Sequence, residues 1–255
     1  MNSVSEGAGV PAMDLPGGWC DVVGRGRMGE ALAAALSESG LPVRGPLGRG
    51  ADGEGATIVI LCVPDREIAA ASAALCAGAV VGHVSASSEL SLLEPHERFG
   101  LHPLMSVVGA GARFAGATCA VEGSTDRATG VARALAARLG MHAQVIPSEK
   151  RRLYHAAASA ASNYVVTLES MAERLAGGVG LDRAALVPLV RATVEHWATF
   201  GAEGALTGPI ARGDEDTVRR QREAVADAAP DLLPLWDALV DATERLAGNA
   251  GTLAR

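Results

Sequence analysis

From Trp19 to Ile146, strand-like apolar runs alternate with helical periodicity, and beyond Pro147 only helical patterns remain. The run Trp19-Cys20-Asp21-Val22-Val23 reads as a short strand, stops at a glycine cluster, and gives way to a helical pattern over 29–39. Residues 56–65 form a continuous apolar stretch through Ile58, Val59, Ile60 and Leu61, the pattern of a strand buried on both faces of a parallel sheet. A helix over 66–76, a strand over 79–85, a short strand over 117–122, a helix over 125–139 and a strand over 143–146 continue the alternation. This order predicts an α/β fold, a doubly wound Rossmann-type parallel sheet followed by an all-helical C-terminal domain. Ser148-Glu149-Lys150 has the form of a helix start, and no breaker follows until Gly177, so one long helix is expected there. The expected divisions are a flexible tail over 1–17, an α/β domain over 18–147 and an all-helical domain over 148–255.

Composition narrows the function classes. A net charge of −7 without any Lys/Arg cluster is unsuited to nucleic acid, whose binding needs concentrated positive charge. No apolar run approaches the roughly 20 residues that cross a bilayer, and residues 1–16 lack the basic start and apolar stretch of a secretory signal. Cys20, Cys62, Cys76 and Cys119 form no CxxC pair and have no histidine at metal-ligand spacing, so no metal site is expected and the thiols read as reduced and buried. A cytoplasmic protein acting on a small molecule, with neither a membrane nor a nucleic acid as partner, is the expectation.

The glycine cluster carries the first chemistry. Gly24-Arg25-Gly26-Arg27-Met28-Gly29 joins a strand to a helix, the context in which a dinucleotide pyrophosphate is held: Gly24 for the tight turn, Gly26 for close backbone approach, Gly29 for helix-on-strand packing. Proteins that prefer NAD place a carboxylate about 20 residues later to hold the ribose hydroxyls. Here that region reads Leu41 to Gly50 with Arg44 and Arg49 and no acid, which points to NADP (NADPH) as cofactor. Arg49 is the first candidate for the 2′-phosphate, with Arg44 and Arg25 as rivals, because a guanidinium fork suits phosphate geometry.

Ligands of such sheets lie at the carboxyl ends of strands. That rule places Val63, Pro64 and Asp65 beside the cofactor and His83, Ser85 and Ser87 near its nicotinamide end, with His102 close by in sequence before the next strand. On the long helix, His155, Ser159, Ser162 and Asn163 recur at spacings of three and four among alanines, which gathers them on one face. Four polar groups on a close-packed face call for a ligand or a hydrogen-bond network. The loop Leu206-Thr207-Gly208-Pro209-Ile210-Ala211-Arg212-Gly213-Asp214 precedes a helix beginning near Glu215. Either Arg212, with Thr207, holds a substrate carboxylate, or Arg212 pairs with Asp214 to shape the turn while Asp214 caps the helix.

These motifs together, with Tyr154-His155-Ala156-Ala157 and His102-Pro103-Leu104, resemble the Rossmann-like proteins that carry a C-terminal domain of unknown function 2520. The resemblance implies membership of the 6-phosphogluconate dehydrogenase-like superfamily, whose members include pyrroline-5-carboxylate reductase, ketopantoate reductase and deazaflavin-linked NADP reductases. It implies a homodimer formed through the helical domain. The hydroxyacid-dehydrogenase and ketopantoate-reductase relatives carry a lysine four residues before an asparagine on the interdomain helix, whereas this chain has Ser159 before Asn163. Its only lysine, Lys150, lies outside the polar stripe.

The expected reaction is hydride transfer from NADPH to the carbonyl or imine carbon of a small, carboxylate-bearing substrate, a ketopantoate-like 2-oxo acid or a pyrroline-carboxylate-like imine. His155 is the first candidate proton donor, with Ser159 and Asn163 as positioning groups and His102 as the alternative donor. The competing expectation is a non-catalytic NADP-binding sensor or dimerisation module.

Overall fold

Seven strands close into a single sheet. A computed structural model describes residues 15–109 and 111–253, so most of the expected N-terminal tail lies outside the described residues. The strands are β1 (Trp19–Val23), β2 (Val43–Leu47), β3 (Ala56–Leu61), β4 (Val80–His83), β5 (Glu97–Pro103), β6 (Thr118–Gly123) and β7 (His142–Val145), in the order β2-β1-β3-β4-β5-β6-β7. Neighbours from β2 to β5 are parallel, but β5 and β6 are antiparallel, with Leu101 opposite Val121 and His102 opposite Ala120. β7 is parallel to β6. The sheet is therefore mostly rather than wholly parallel. No helix forms among the described residues of 104–117, and without a crossover helix the chain turns back on itself from β5 to β6.

The apolar run of β3 meets both faces, as its pattern requires. Ile58 and Ile60 pack with Val22, Val80, Phe99 and Leu101 beneath α1 (Arg27–Glu38) and α3 (Asp126–Arg138). Val59 and Leu61 pack with Val23, Val81, Leu90 and Leu93 beneath the short helix α2 (Ile68–Ala73). Thr125 begins α3 by accepting the Ala128 backbone N–H on its side chain.

The long helix expected from Ser148 to Gly177 is not uniform. A 3₁₀ turn (Ser148–Lys150) leads into α4 (Arg151–Ser159), a π turn follows (Ala160–Tyr164), and α5 (Val165–Gly177) continues from it. The wider π turn shifts the phase of Ser162 and Asn163 relative to His155 and Ser159, so one 3.6-residue period does not describe all four. The chain divides into two compact units, Met1–Ser162 and Asn163–Arg255. Residues 148–162 thus fold with the sheet, because Arg151 and Tyr154 bond to groups on it.

The second unit consists of α5, α6 (Arg183–Ala205), α7 (Glu215–Ala228) and α8 (Leu233–Leu253). Arg174 pairs with both carboxylate oxygens of Asp231, and Arg222 with both of Asp237. Among the described residues, no helix is long and apolar enough to cross a membrane.

Candidate cofactor cleft and polar cluster

The chain leaves β1 through α1 to β2 on one side and returns to β3 on the other, so the carboxyl ends of β1 and β3 face a topological switch point. A cleft of about 660 Å³ opens there, lined by Gly24, Arg25, Gly26, Arg49, Val63 and Pro64, with alanines 51, 70, 71 and 74 as its apolar wall.

Protein packing explains two of the three motif glycines. Gly24 has φ +127°, and a Cβ on it would lie 2.2 Å from the Cys62 carbonyl oxygen. A Cβ on Gly29 would lie 1.9 Å from the Gly24 carbonyl oxygen, which sets how closely α1 approaches β1. At Gly26 the backbone is extended and no heavy atom lies within 4 Å of where a Cβ would stand. Gly26 also begins α1 without a side-chain cap, leaving first-turn amides for an anion. A glycine that packing does not require, lining a cleft at a helix start, fits a dinucleotide phosphate.

The arginines separate into two classes. Arg44 donates from Nε and Nη2 to the two carboxylate oxygens of Asp21, at 2.6 and 2.8 Å, and from Nη2 to the Glu54 carbonyl. Asp21 is 1% exposed, so Arg44 neutralises a buried carboxylate, and its candidacy as a phosphate ligand is corrected on that ground. Arg25 packs its guanidinium over Gly48, and Arg49 is 89% exposed with one ion pair, to Glu67 at 3.3 Å. Arg27 is exposed, whereas Met28 packs against the core.

A second cluster lies at the carboxyl ends of β3, β4 and β5. Asp65 accepts the hydroxyls of Ser85 at 2.8 Å and Ser87 at 3.0 Å, and the Ser85 hydroxyl accepts the backbone N–H groups of Ser87 and Ser88. Burial opposes ionisation of Asp65, but the serine hydrogen bonds outweigh it and hold the carboxyl below its usual range. The Ser85 hydroxyl is thereby committed within the loop. Arg151, 3% exposed, donates to Glu122 at 2.7 Å and to the Ser85 carbonyl at 2.9 Å, and its guanidinium lies close to Gly100, where a Cβ would stand 2.9 Å from Nη1. Ser148 also donates to Glu122.

One turn after Arg151, the Tyr154 hydroxyl meets Nδ1 of His102 at 2.7 Å, with the two rings edge to face. Burial first, then the Arg151 and His155 charges, push His102 down to about 4, and burial pushes the Tyr154 phenol up to about 12. His83 is fully buried, accepts the Ser85 backbone N–H on Nδ1, and is likewise pushed down to about 4 by burial and Arg151. Sequence reasoning missed Arg151, Glu122 and Tyr154. The available signal was a charge at each of two element ends, Glu122 closing a strand and Arg151 opening a helix.

The remaining candidates form no bond to this cluster, although His155 is near enough to His102 to act on its charge. His155 is exposed, Ser159 half-buried, and Ser162 and Asn163 are exposed on the π turn; none makes a side-chain hydrogen bond among the described residues. Thr207 and Arg212 are exposed in the second unit. Asp214 caps α7 by accepting the Thr217 N–H, and Arg212 forms no ion pair with it. All four cysteines are free; Cys20 and Cys119 are buried, but Cys76, expected inside, is exposed. No group of three or more His, Cys, Asp or Glu able to hold a metal occurs among the described residues.

Comparison with known proteins agrees with the architecture. A Bacteroides fragilis protein described as an NADP oxidoreductase superposes with a TM-score of 0.77 at 20% identity, covering 89% of this chain and 98% of that one. Protein TM1727 of Thermotoga maritima gives 0.74 at 23% identity, covering 90% and 98%. A reductive aminase of Aspergillus terreus, solved with NADPH and ethyl-5-oxohexanoate, gives 0.66 at 17% identity, covering 93% and 99%. No curated protein sequence matches. Residues 117–243 match the family model described as Domain of unknown function (DUF2520). Residues 117–243 thus carry a DUF2520 domain, which takes in β6 and β7, the last two strands of the Rossmann-like sheet.

Proposed function

We propose that the protein is a cytoplasmic NADPH-dependent oxidoreductase that reduces the carbonyl or imine carbon of a small, carboxylate-bearing substrate. The observation that carries this reading is Gly26, an uncrowded glycine at the uncapped start of α1 inside a switch-point cleft. In this reading the amides opening α1 hold the pyrophosphate, the alanine wall receives the adenine, and Arg25 and Arg49 flank the 2′-phosphate with no carboxylate at the end of β2 to repel it. When bound, the reduced nicotinamide supplies a hydride. The NADPH-bound reductive aminase of similar fold supports the assignment, and four free cysteines suit a reducing compartment.

Ser162 in the first unit, and Thr207 and Arg212 in the second, stay separate candidates for substrate contact, Arg212 as a cation for a carboxylate. His155 stays a candidate proton donor, with Ser159 and Asn163 as candidates for positioning the substrate; the π turn between Ser159 and Val165 supports them, since such turns recur at functional sites. A panel of 2-oxo acids and cyclic imines, ketopantoate and pyrroline carboxylate first, separates the enzyme from a cofactor sensor by NADPH consumption.

Cofactor choice is tested by binding. Replacing Arg25 and Arg49 together with alanine is expected to weaken NADPH about 30-fold in calorimetry, the loss of roughly 2 kcal/mol of charge-assisted hydrogen bonding, and to leave NADH within threefold. Equal losses for both dinucleotides would remove these arginines from the 2′-phosphate site.

A homodimer through the helical domain is also proposed. The support is α6, which buries none of its 23 residues and exposes Leu189, Trp197 and Phe200 by 66%, 58% and 64%. Apolar exposure on that scale suits a second copy. Sedimentation is expected to give a dimer that Trp197→Glu with Phe200→Glu dissociates; a wild-type monomer at micromolar concentration overturns it.

A further inference from the structure

We propose that Tyr154 hands the proton to the substrate heteroatom, with the His102 ring behind it restoring the phenol. The proposal rests on the reductase reading above and adds the acid that the reading needs. His102 stands at the carboxyl end of β5, the same sheet edge at which β3 delivers Val63 and Pro64 to the cleft. Two strand spacings, about 10 Å, separate β3 from β5, well within the length of an extended dinucleotide. Asp65, which follows Pro64, is near enough to His102 to act on its charge.

Tyr154 is held there by buried structure. Arg151, three residues earlier, fixes the first turn of α4 to Glu122 and to the Ser85 carbonyl. The phenol oxygen then has one hydrogen-bond partner among the described residues, Nδ1 of His102 at 2.7 Å. Tyr154 is preferred over the other groups near this edge, His155 among them, whose exposed ring makes no side-chain hydrogen bond among the described residues. The Ser85 and Ser87 hydroxyls are committed to Asp65, His83 is sealed in the core, and the imidazole of His102 is neutral at pH 7.

The proton balance closes without a charged residue. As hydride from the reduced nicotinamide adds to the carbonyl carbon, the π electron pair moves to oxygen, the Tyr154 O–H bond breaks and its proton goes to that oxygen. The pair left on the phenol oxygen takes the proton from Nδ1 of His102, while Nε2 takes one from solvent. The ring ends neutral in its other tautomer, and exchange with water resets it. An alkoxide is a stronger base than a phenolate, so the first transfer runs downhill even for a phenol held near 12.

The assignment requires that Nδ1 of His102 carry the ring proton in the resting protein, leaving the phenol O–H free. Nitrogen-15 NMR of the protein without cofactor, assigned with His102→Gln, is expected to find Nδ1 protonated and Nε2 bare. The opposite tautomer overturns the proposal, because the phenol would then donate to the ring and the imidazole would hold the transferable proton. In turnover, Tyr154→Phe is expected to lower kcat for a 2-oxo acid at least 100-fold, with KM and NADPH affinity within threefold of wild type. Reduction of N-methyl-1-pyrrolinium, a quaternary iminium that needs hydride alone, should stay within threefold. Equal loss on both substrates, or none on the 2-oxo acid, overturns the proposal. Failure of the wild-type protein to bind NADPH overturns the reductase reading instead, a result the cofactor-free tautomer measurement keeps separate.

Discussion

Gly26→Val is expected to fold and to lose dinucleotide binding by at least 100-fold. The backbone at Gly26 is extended, with φ −84° and ψ 174°, a conformation open to any residue, and no neighbour stands where the new side chain would go. The cost in stability is that of a poorer helix start, about 1 kcal/mol. The isopropyl group fills the space through which a pyrophosphate would reach the amides of α1, and a loss of about 3 kcal/mol in binding corresponds to the stated 100-fold. Gly29→Ala is the informative contrast. Its methyl group would fall 1.9 Å from the Gly24 carbonyl oxygen, so α1 must move off β1 at about 3 kcal/mol. Thermal melting and NADPH calorimetry on the two variants should therefore dissociate: one stable and unable to bind, the other unstable. Wild-type affinity in Gly26→Val would place the phosphate elsewhere.

Arg151→Met should be the most destabilising single change outside the apolar core. It leaves the Glu122 carboxylate, 13% exposed, without its cation, and the Ser85 carbonyl without its donor, a combination worth about 3–5 kcal/mol. Acid sensitivity changes with it. His83 and His102 are held near 4 in the folded protein, against an ordinary value of 6.5. Between those values the unfolded chain carries protons that the folded chain refuses, so stability is complete above about 6.5 and is lost as pH falls toward 4. Arg151 contributes to both depressions, second to burial. Without it the two rings take up protons closer to their ordinary value, and the variant loses less stability than wild type between pH 7 and 5. Urea denaturation at those two pH values measures both effects; an equal loss in the two proteins would mean that the Arg151 charge does not reach the rings.

What the sequence disclosed followed from how local the cause was. The run from Ile58 to Leu61 has no polar residue to turn outward, so burial on both faces was readable from the chain alone. Strand β5 was hidden because Glu97 and Arg98 begin it, Gly100 interrupts it and Pro103 ends it. Its place is set by neighbours on both sides, β4 and β6, which no local pattern reports. The glycine turn was legible because its strand, its glycines and its helix follow one another directly in the chain. The pairing of Arg44 was hidden for the opposite reason: its partner Asp21 lies 23 positions away, on a different strand. Tyr154 and His102 are 52 positions apart, and only the fold brings them together.

The division of labour between Arg44 and Arg49 bears on how such a protein diverges. Arg44 is fastened to the sheet, while Arg49 projects from a glycine-flanked segment, exposed and paired with Glu67 alone. On the proposed cofactor reading, discrimination between phosphorylated and plain dinucleotides can then be altered at Arg49 without disturbing the Arg44 pair that belongs to the scaffold. Homologous chains are expected to drift in preference at position 49 while keeping the acid at 21 and the base at 44 as a matched couple.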